Sequence, residues 1–188
     1  AAIGIVPQEP FVFSETIEDN LALGLPPDAE LDGRLAEALA VSRLDEALAI
    51  LPAGLQTRLG ERGVNLSGGQ RQRTALARAL VRDPRILVLD DALSAVDTHT
   101  ETEILEGLRR VLEGRTALII SHRVTAVKDA DIILVLDEGK IVERGRHEDL
   151  LRRGGVYAAL LRRQILTEDL ERDAPLAAVA GSQPGGHR

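Results

Sequence analysis

Asn65-Leu66-Ser67-Gly68-Gly69-Gln70-Arg71-Gln72-Arg73 is the stretch on which the reading of this chain turns. It is a helix start built to face an anion. Ser67 and Gln70 stand in the S-x-x-Q relation of a capping box, so the serine caps the helix and the glutamine reaches back. Gly68 and Gly69 have no side chains, which leaves bare backbone N–H groups at the positive end of a helix, a cradle for phosphate. Ala75, Leu76, Ala79 and Leu80 then repeat at helical spacing, with Arg71, Arg78 and Arg82 on another face. Asp83-Pro84 ends the helix.

Taken alone, such a stretch is a capped surface helix whose glycines only make a tight turn. The strands downstream of it point to more. Ile86-Leu87-Val88-Leu89-Asp90-Asp91 is an apolar strand ending in two carboxylates, and Thr116–Ser121 is a second apolar strand, leading into His122. In open α/β sheets, ligands sit at the carboxyl ends of strands. Three strands here lead into polar groups: Val6 before Gln8, Leu89 before Asp90, and Ser121 before His122. A lone Asp or His at a strand end is usually a cap or a satisfied hydrogen-bonding group. Three of them beside a phosphate-type helix start point to a nucleotide site.

Composition narrows the class. The chain has 188 residues, 44% hydrophobic and 28% charged, which suits one globular domain with a sizeable core. No apolar run approaches the roughly 18–20 residues of a membrane helix, and no signal peptide is visible. The absence of Cys excludes disulfides and thiolate metal sites. A net charge of −7 argues against a nucleic-acid surface, which would be basic. Met is also absent, and Ala1-Ala2-Ile3-Gly4-Ile5-Val6 already reads as a buried strand. The expectation is a C-terminal piece of a longer protein.

Along the chain, the strand Ala2–Val6 breaks at Pro7 and gives way to a loop through Phe13. Short helical pieces fill Thr16 to Leu51. Thr16 and Asp19 start the first, Leu31, Leu35, Ala38 and Leu39 mark the second, and Ser42 with Asp45 caps the third. A Gly-rich loop over 53–66 leads into the capped helix. Ile86–Asp90 is a continuous apolar run of the kind found in parallel strands covered on both faces. An amphipathic helix (Asp97–Glu113), the buried strand Thr116–Ser121, a short helix (Val124–Asp129) and a strand (Asp131–Leu136) come next. Glu138-Gly139 turns a hairpin into Lys140–Glu143. Asp149 to Gln164 is helical apart from Gly154-Gly155, and the Pro-, Gly- and Ala-rich end reads as a disordered tail.

Leu66-Ser67-Gly68-Gly69-Gln70 at this distance before a strand ending in Asp90 resembles the signature of the ATP-binding cassette family, and the resemblance runs to about Leu161. It implies an α/β fold of the P-loop NTPase type, with a helical subdomain followed by the second half of a mainly parallel sheet core. Residues 1–168 would be a partial nucleotide-binding domain, with 14–83 as its helical part and 84–168 as the α/β core and C-terminal helices. Residues 169–188 would be the tail. By the same resemblance, Ile86–Asp90 is the Walker B strand and Asp90 holds Mg²⁺ through water. Gln8 matches the Q-loop glutamine, which touches the metal and the attacking water. His122 matches the switch histidine, and Ser94-Ala95-Val96-Asp97 the loop at the interface of two nucleotide domains. Ser67, Gly68, Gly69 and Gln70 would face ATP. His99, His147 and His187 match no motif and are expected in solvent. Thr57 to Gly63 and Pro7 to Phe13 have exporter character, with Glu15 where that pattern more often has Gly.

Two departures from the family pattern stand out. No G-x-x-x-x-G-K-[ST] occurs in residues 1–188, so the P-loop is expected upstream and the piece alone is expected to be inactive. The residue after Asp90, ordinarily a Glu that polarises the attacking water, is Asp91. In this family that exchange occurs in the hydrolytically weak subunit of heterodimeric exporters. The implied partners are a second nucleotide domain and a transmembrane domain fused upstream, at the cytoplasmic face of a bacterial inner membrane. The rival readings are an ATPase of DNA repair or chromosome maintenance, whose long coiled coils have no counterpart before Asn65, and a non-catalytic binding module.

Overall fold

The computed structural model describes residues 3–26, 32–60 and 66–173. The start of the first strand, the Leu31 helix marker, the Glu61–Gly63 part of the exporter loop, Asn65, His187 and residues 174–188 lie outside the described residues. The chain divides into two compact units, Ala1–His122 and Arg123–Arg188.

The first unit contains strands β1 (Ile3–Val6), β2 (Ile86–Asp90) and β3 (Thr116–Ile120), with helices α1 (Ile17–Ala22), α2 (Asp32–Val41), α3 (Leu44–Ala49), α4 (Gly68–Val81) and α5 (Thr98–Val111). The strands form a parallel sheet in the order β1-β2-β3. Val6 lies opposite Leu89, Leu89 opposite Ile119, and Asp90 opposite Ile120, so the three carboxyl ends share one edge. One sheet face is buried. Val6, Leu87 and Leu89 join Leu76, Ala77 and Val81 of α4 and Ile104 and Leu108 of α5 in a single apolar core.

The other face is open. Because side chains alternate along a strand, Ile3, Ile5, Leu118 and Ile120 project away from that core and stand 53%, 62%, 53% and 48% exposed. The continuous apolar run of Ile86–Asp90 and the Thr116–Ser121 strand read as covered on both sides. Among the described residues Ile86–Asp90 is covered on one face, and in Thr116–Ile120 only Ile119 is partly buried.

Local chemistry sets the helix ends. Thr16 and Asp19 form a capping box for α1, as their spacing predicts, and the α4 box between Ser67 and Gln70 is complete. Ser42 departs from its expected role as a cap. It is fully buried, and its hydroxyl donates back to the Leu39 carbonyl, while Arg43, at φ 54°, precedes α3 with no side-chain cap. A serine at the end of one helix can bond backward to that helix as readily as forward to the next, and the close succession of α2 and α3 selects the backward bond.

The loop after β1 is held from beneath. Buried Asn20 accepts from the Phe13 N–H (2.9 Å) and donates to the Phe13 carbonyl (3.0 Å). Arg78 of α4 donates to the Asn20 and Phe11 carbonyls (2.8 and 2.9 Å) and to Asn20 Oδ1 (2.8 Å). Burial lowers the Arg78 pKa from its ordinary value, and the three carbonyl-type acceptors compensate its charge with hydrogen bonds.

The second unit contains α6 (Val124–Val127), β4 (Ile133–Asp137), β5 (Lys140–Gly145), α7 (His147–Arg153) and α8 (Val156–Asp173). Strands β4 and β5 pair antiparallel across Glu138-Gly139, at φ 45° and 73°, the left-handed pair that a two-residue hairpin requires. Gly154 ends α7 in the left-handed conformation. Helix α8 continues past the expected start of the tail. Val124, Ile133, Val135, Leu150 and Tyr157 form the unit's own core. His147, expected in solvent, is half-buried instead, with Nδ1 2.8 Å from the Tyr157 hydroxyl. Burial, and secondarily the charge of Asp129, raise the tyrosine's pKa.

Candidate functional site

The site is assembled where the parallel strands end. Gln8 stands two residues after β1, Asp90 closes β2, Asp91 comes directly after it, and His122 lies two residues beyond β3. Asp91 sits at φ 46°, a left-handed conformation that Asp tolerates better than most residues. Its N–H donates to the Ile120 carbonyl at 2.8 Å, which pins the turn to the neighbouring strand. From this turn the Asp91 carboxylate meets the Gln8 side chain, with Nε2 donating to Oδ2 at 3.4 Å. Asp90 and His122 are exposed at the same edge. Sequence reasoning named all four, and the register of β1, β2 and β3 brings their backbones together.

The signature helix reaches this edge through the loop 91–97. The Ser67 hydroxyl accepts from the Gln70 N–H (3.1 Å), and Gln70 Oε1 accepts from the Ser67 N–H (2.9 Å). The Arg71 N–H is taken by the Ser67 carbonyl (3.0 Å). Gly68 and Gly69 therefore carry the first amides of α4, which no carbonyl of the helix can reach.

The glycines have a second reason to be bare. A Cβ on Gly69 would lie 2.8 Å from the Ala95 carbonyl oxygen, and one on Gly68 would lie 3.2 Å from the Ala95 Cβ. The backbone of the 91–97 loop packs against the helix start at the distance where a side chain would stand. Asp97 closes this loop as the N-cap of α5, accepting from the Thr100 N–H at 3.0 Å. That bond is the main reason its carboxyl pKa lies below the ordinary Asp value.

One residue at this junction carries no signal in the sequence. Gln72, only 4% exposed, donates through Nε2 to Ser94 Oγ (3.1 Å) and to the Gln8 carbonyl (3.3 Å), and accepts at Oε1 from the Ala95 N–H (2.9 Å). On the helix it looks like one more polar surface position between two arginines. Its partners are 64, 22 and 23 residues away in sequence, so no local pattern marks it.

The donor set suits magnesium. Among the described residues no group of three or more His, Cys, Asp or Glu is placed to hold a metal by itself. Mg²⁺ bound with a nucleotide does not need one, because water and phosphate oxygens fill most of its coordination sphere and the protein adds one or two carboxylates. Asp90, with the Gln8 amide oxygen, matches that requirement.

Comparison with known proteins identifies the family and the fold. The family model for the ABC transporter domain matches residues 1–94. The chain is 50% identical over 162 residues to the mitochondrial potassium channel ATP-binding subunit of Xenopus tropicalis, covering 86% of this chain and 23% of that protein. It is 48% identical to an ATP-dependent lipid A-core flippase of Burkholderia orbicola (86% and 27% covered) and 46% identical to an ATM1-type heavy metal exporter of Novosphingobium aromaticivorans (87% and 27%). The chain thus spans about a quarter of the length of these relatives. The solved structure of a bacterial Atm1-family ABC exporter with ATP bound superposes with a TM-score of 0.81 at 45% identity, covering 87% of this chain and 29% of that one. With the signature helix, the parallel strand ends and a family match over half the chain in agreement, the chain belongs to the ABC transporter family.

Proposed function

We propose that this chain is part of the ATP-binding and ATP-hydrolysing domain of an exporter-type, membrane-associated transporter, and that it works with a second nucleotide-binding domain and a transmembrane domain of the same polypeptide. The observation that carries the reading is the meeting of Gln8 and Asp91 at 3.4 Å on the sheet edge that also holds Asp90. The identity to flippases and exporters supports it over the DNA-maintenance alternative.

In this reading the Gly68 and Gly69 amides and the Ser67 hydroxyl bind the γ-phosphate of ATP held by the partner domain, with Gln70 holding Ser67 in place. Asp90 and Gln8 would hold Mg²⁺, which would supply positive charge to the phosphoryl oxygens. Asp91 accepts a proton from the attacking water, which Gln8 orients, and His122 donates to the γ-phosphate. Ser94 and Asp97 lie at the contact with the partner domain. Residues 1–188 alone carry no P-loop sequence and bind ATP weakly.

Asp91 makes this subunit's own site the weak one of a pair. Its carboxylate reaches about 1.5 Å less far than that of Glu, and a misplacement of ~1 Å can cost about 10²-fold in rate, or roughly 2.7 kcal/mol of barrier. The test is steady-state ATPase of the full-length protein, each variant paired with an unaltered partner. Ser67→Arg puts a bulky cation where the helix start closes on phosphate and should remove most turnover. Asp91→Asn should leave turnover within about twofold. Equal damage from both would show that this subunit's site is not the weak one, and full turnover in Ser67→Arg would remove the signature helix from the reaction.

A further inference from the structure

Gln72 makes three hydrogen bonds, and every partner lies in a segment that carries a candidate site residue. Polar residues of the same helix that merely satisfy themselves behave differently: the Thr74 hydroxyl, equally buried, donates to the Gln70 carbonyl one turn back. The orientation of the Gln72 amide is forced. The Gln8 carbonyl can only accept and the Ala95 N–H can only donate, so Nε2 and Oε1 cannot exchange places. Gln8 is held twice as a result, by its carbonyl to Gln72 and by its side chain to Asp91. On the far side of the same contact, Gly69 admits the Ala95 carbonyl against the helix start.

We propose that Gln72 is a positioning residue for ATP hydrolysis, which ties the signature helix, the 91–97 loop and the Gln8 segment into one piece, so that the phosphate-facing helix start and the groups around Asp91 keep a fixed separation. The inference rests on the function proposed above. Gln72 touches neither nucleotide nor metal. It acts mainly through Ser94 and Ala95 on the helix start that meets ATP held by the partner domain, and only secondarily through Gln8 on this subunit's own weaker site. Its loss therefore lowers kcat at the partner's site while leaving ATP affinity in place. Gln72 itself is only 4% exposed although Gln8, Ser94 and Ala95 are exposed residues, so its side-chain amide loses its partners at a cost when these bonds are removed.

Two readouts on the full-length protein test this. The first is amide hydrogen exchange of peptides spanning 91–97, which reports the tie without reference to catalysis. Gln72→Met preserves length and removes all three bonds, and it should speed exchange there by about tenfold. The second is ATPase activity as a function of pH. Gln72→Met should lower kcat about tenfold with KM for ATP within about twofold. Gln72→Glu keeps the acceptor for Ala95 but turns a carboxylate toward the Gln8 carbonyl. Burial raises the pKa of such a carboxyl, and its protonated form regains one donor. Activity of Gln72→Glu relative to the unaltered protein should therefore rise as pH falls from 8 to 6, whereas Gln72→Met stays low throughout. A side chain that only fills space would leave exchange over 91–97 unchanged in Gln72→Met, which keeps the volume.

Unchanged exchange in Gln72→Met, or equal and pH-independent losses in both variants, would overturn the proposal. Faster exchange in a full-length protein whose unaltered form hydrolyses no ATP would instead overturn the functional reading on which it rests. If Gln72→Met fails to fold, exchange of the 91–97 peptides in Gln72→Glu is read in its place, where faster exchange is expected and unchanged exchange overturns the proposal.

Discussion

Gly69 shows how one residue answers two demands. Its N–H is among the first amides of α4, which no carbonyl of the helix reaches, and its missing side chain makes room for the Ala95 carbonyl, which would be 2.8 Å from a Cβ. That separation is shorter than real contacts allow, and the obstacle is backbone, which cannot swing aside. Gly69→Ala should therefore destabilise by about 1–3 kcal/mol, the range typical of overpacking. Gly68→Ala, which meets only the Ala95 methyl at 3.2 Å, should cost less. Thermal unfolding of the full-length protein, with nucleotide omitted, reads the packing term separately from any phosphate contact. Equal midpoints for the two variants would mean that the 91–97 loop yields more easily than this packing implies.

Among the elements, α5 has a pH-dependent start. The Asp97 carboxylate accepts the Thr100 N–H, and this bond holds its pKa below the ordinary value. A lowered folded-state pKa means the charged cap stabilises above the unfolded Asp value of about 3.9 and is lost as pH falls through the lower folded value. Asp97→Asn keeps a neutral cap and removes the charge from the helix N-terminus, a difference of about 0.3–1 kcal/mol at an exposed position. Denaturation midpoints should thus be lower for Asp97→Asn at pH 7 and converge with those of the unaltered protein as pH falls through the lowered folded-state pKa of Asp97. A gap that persists into acid would assign the effect to something other than the carboxylate. The neighbouring element α4 is organised differently. Its start is capped locally, and its middle is anchored by Gln72 and Arg78 to loops far away in sequence.

At the scale of the whole molecule, uncovered apolar surface is the dominant feature. Ile3, Ile5, Leu118 and Ile120 on one sheet face, and Leu134, Leu136 and Ile141 on the hairpin, are all more than two-fifths exposed. Each unit has its own core, and that of the second unit is small. Patches of this kind, with sheet edges beside them, promote association. Residues 1–188 expressed alone should form aggregates, bind a hydrophobic dye and melt without a sharp transition. Light scattering, dye fluorescence and calorimetry check this, and a monodisperse monomer with one cooperative melt would contradict it.

What the sequence determined by itself was whatever depends on neighbours within a turn of helix or along a strand. The Ser67–Gln70 and Thr16–Asp19 boxes were legible because a cap acts over three residues. The strand Ile86–Asp90 was legible as an unbroken apolar run, and the Glu138-Gly139 hairpin as a turn signal. Gln8, Asp90, Asp91 and His122 were legible as polar residues at or just beyond strand ends, and the parallel register then set them along one edge. The tertiary structure alone decided which polar residues became internal. Gln72, Asn20 and Arg78 carry side chains that ordinarily face water, and the first two are buried and the third half-buried because acceptors and donors from distant loops converge on them. Ser42 turned back to its own helix and His147 found Tyr157 for the same reason. A buried polar group must be satisfied, and no local pattern specifies a partner supplied by chain packing.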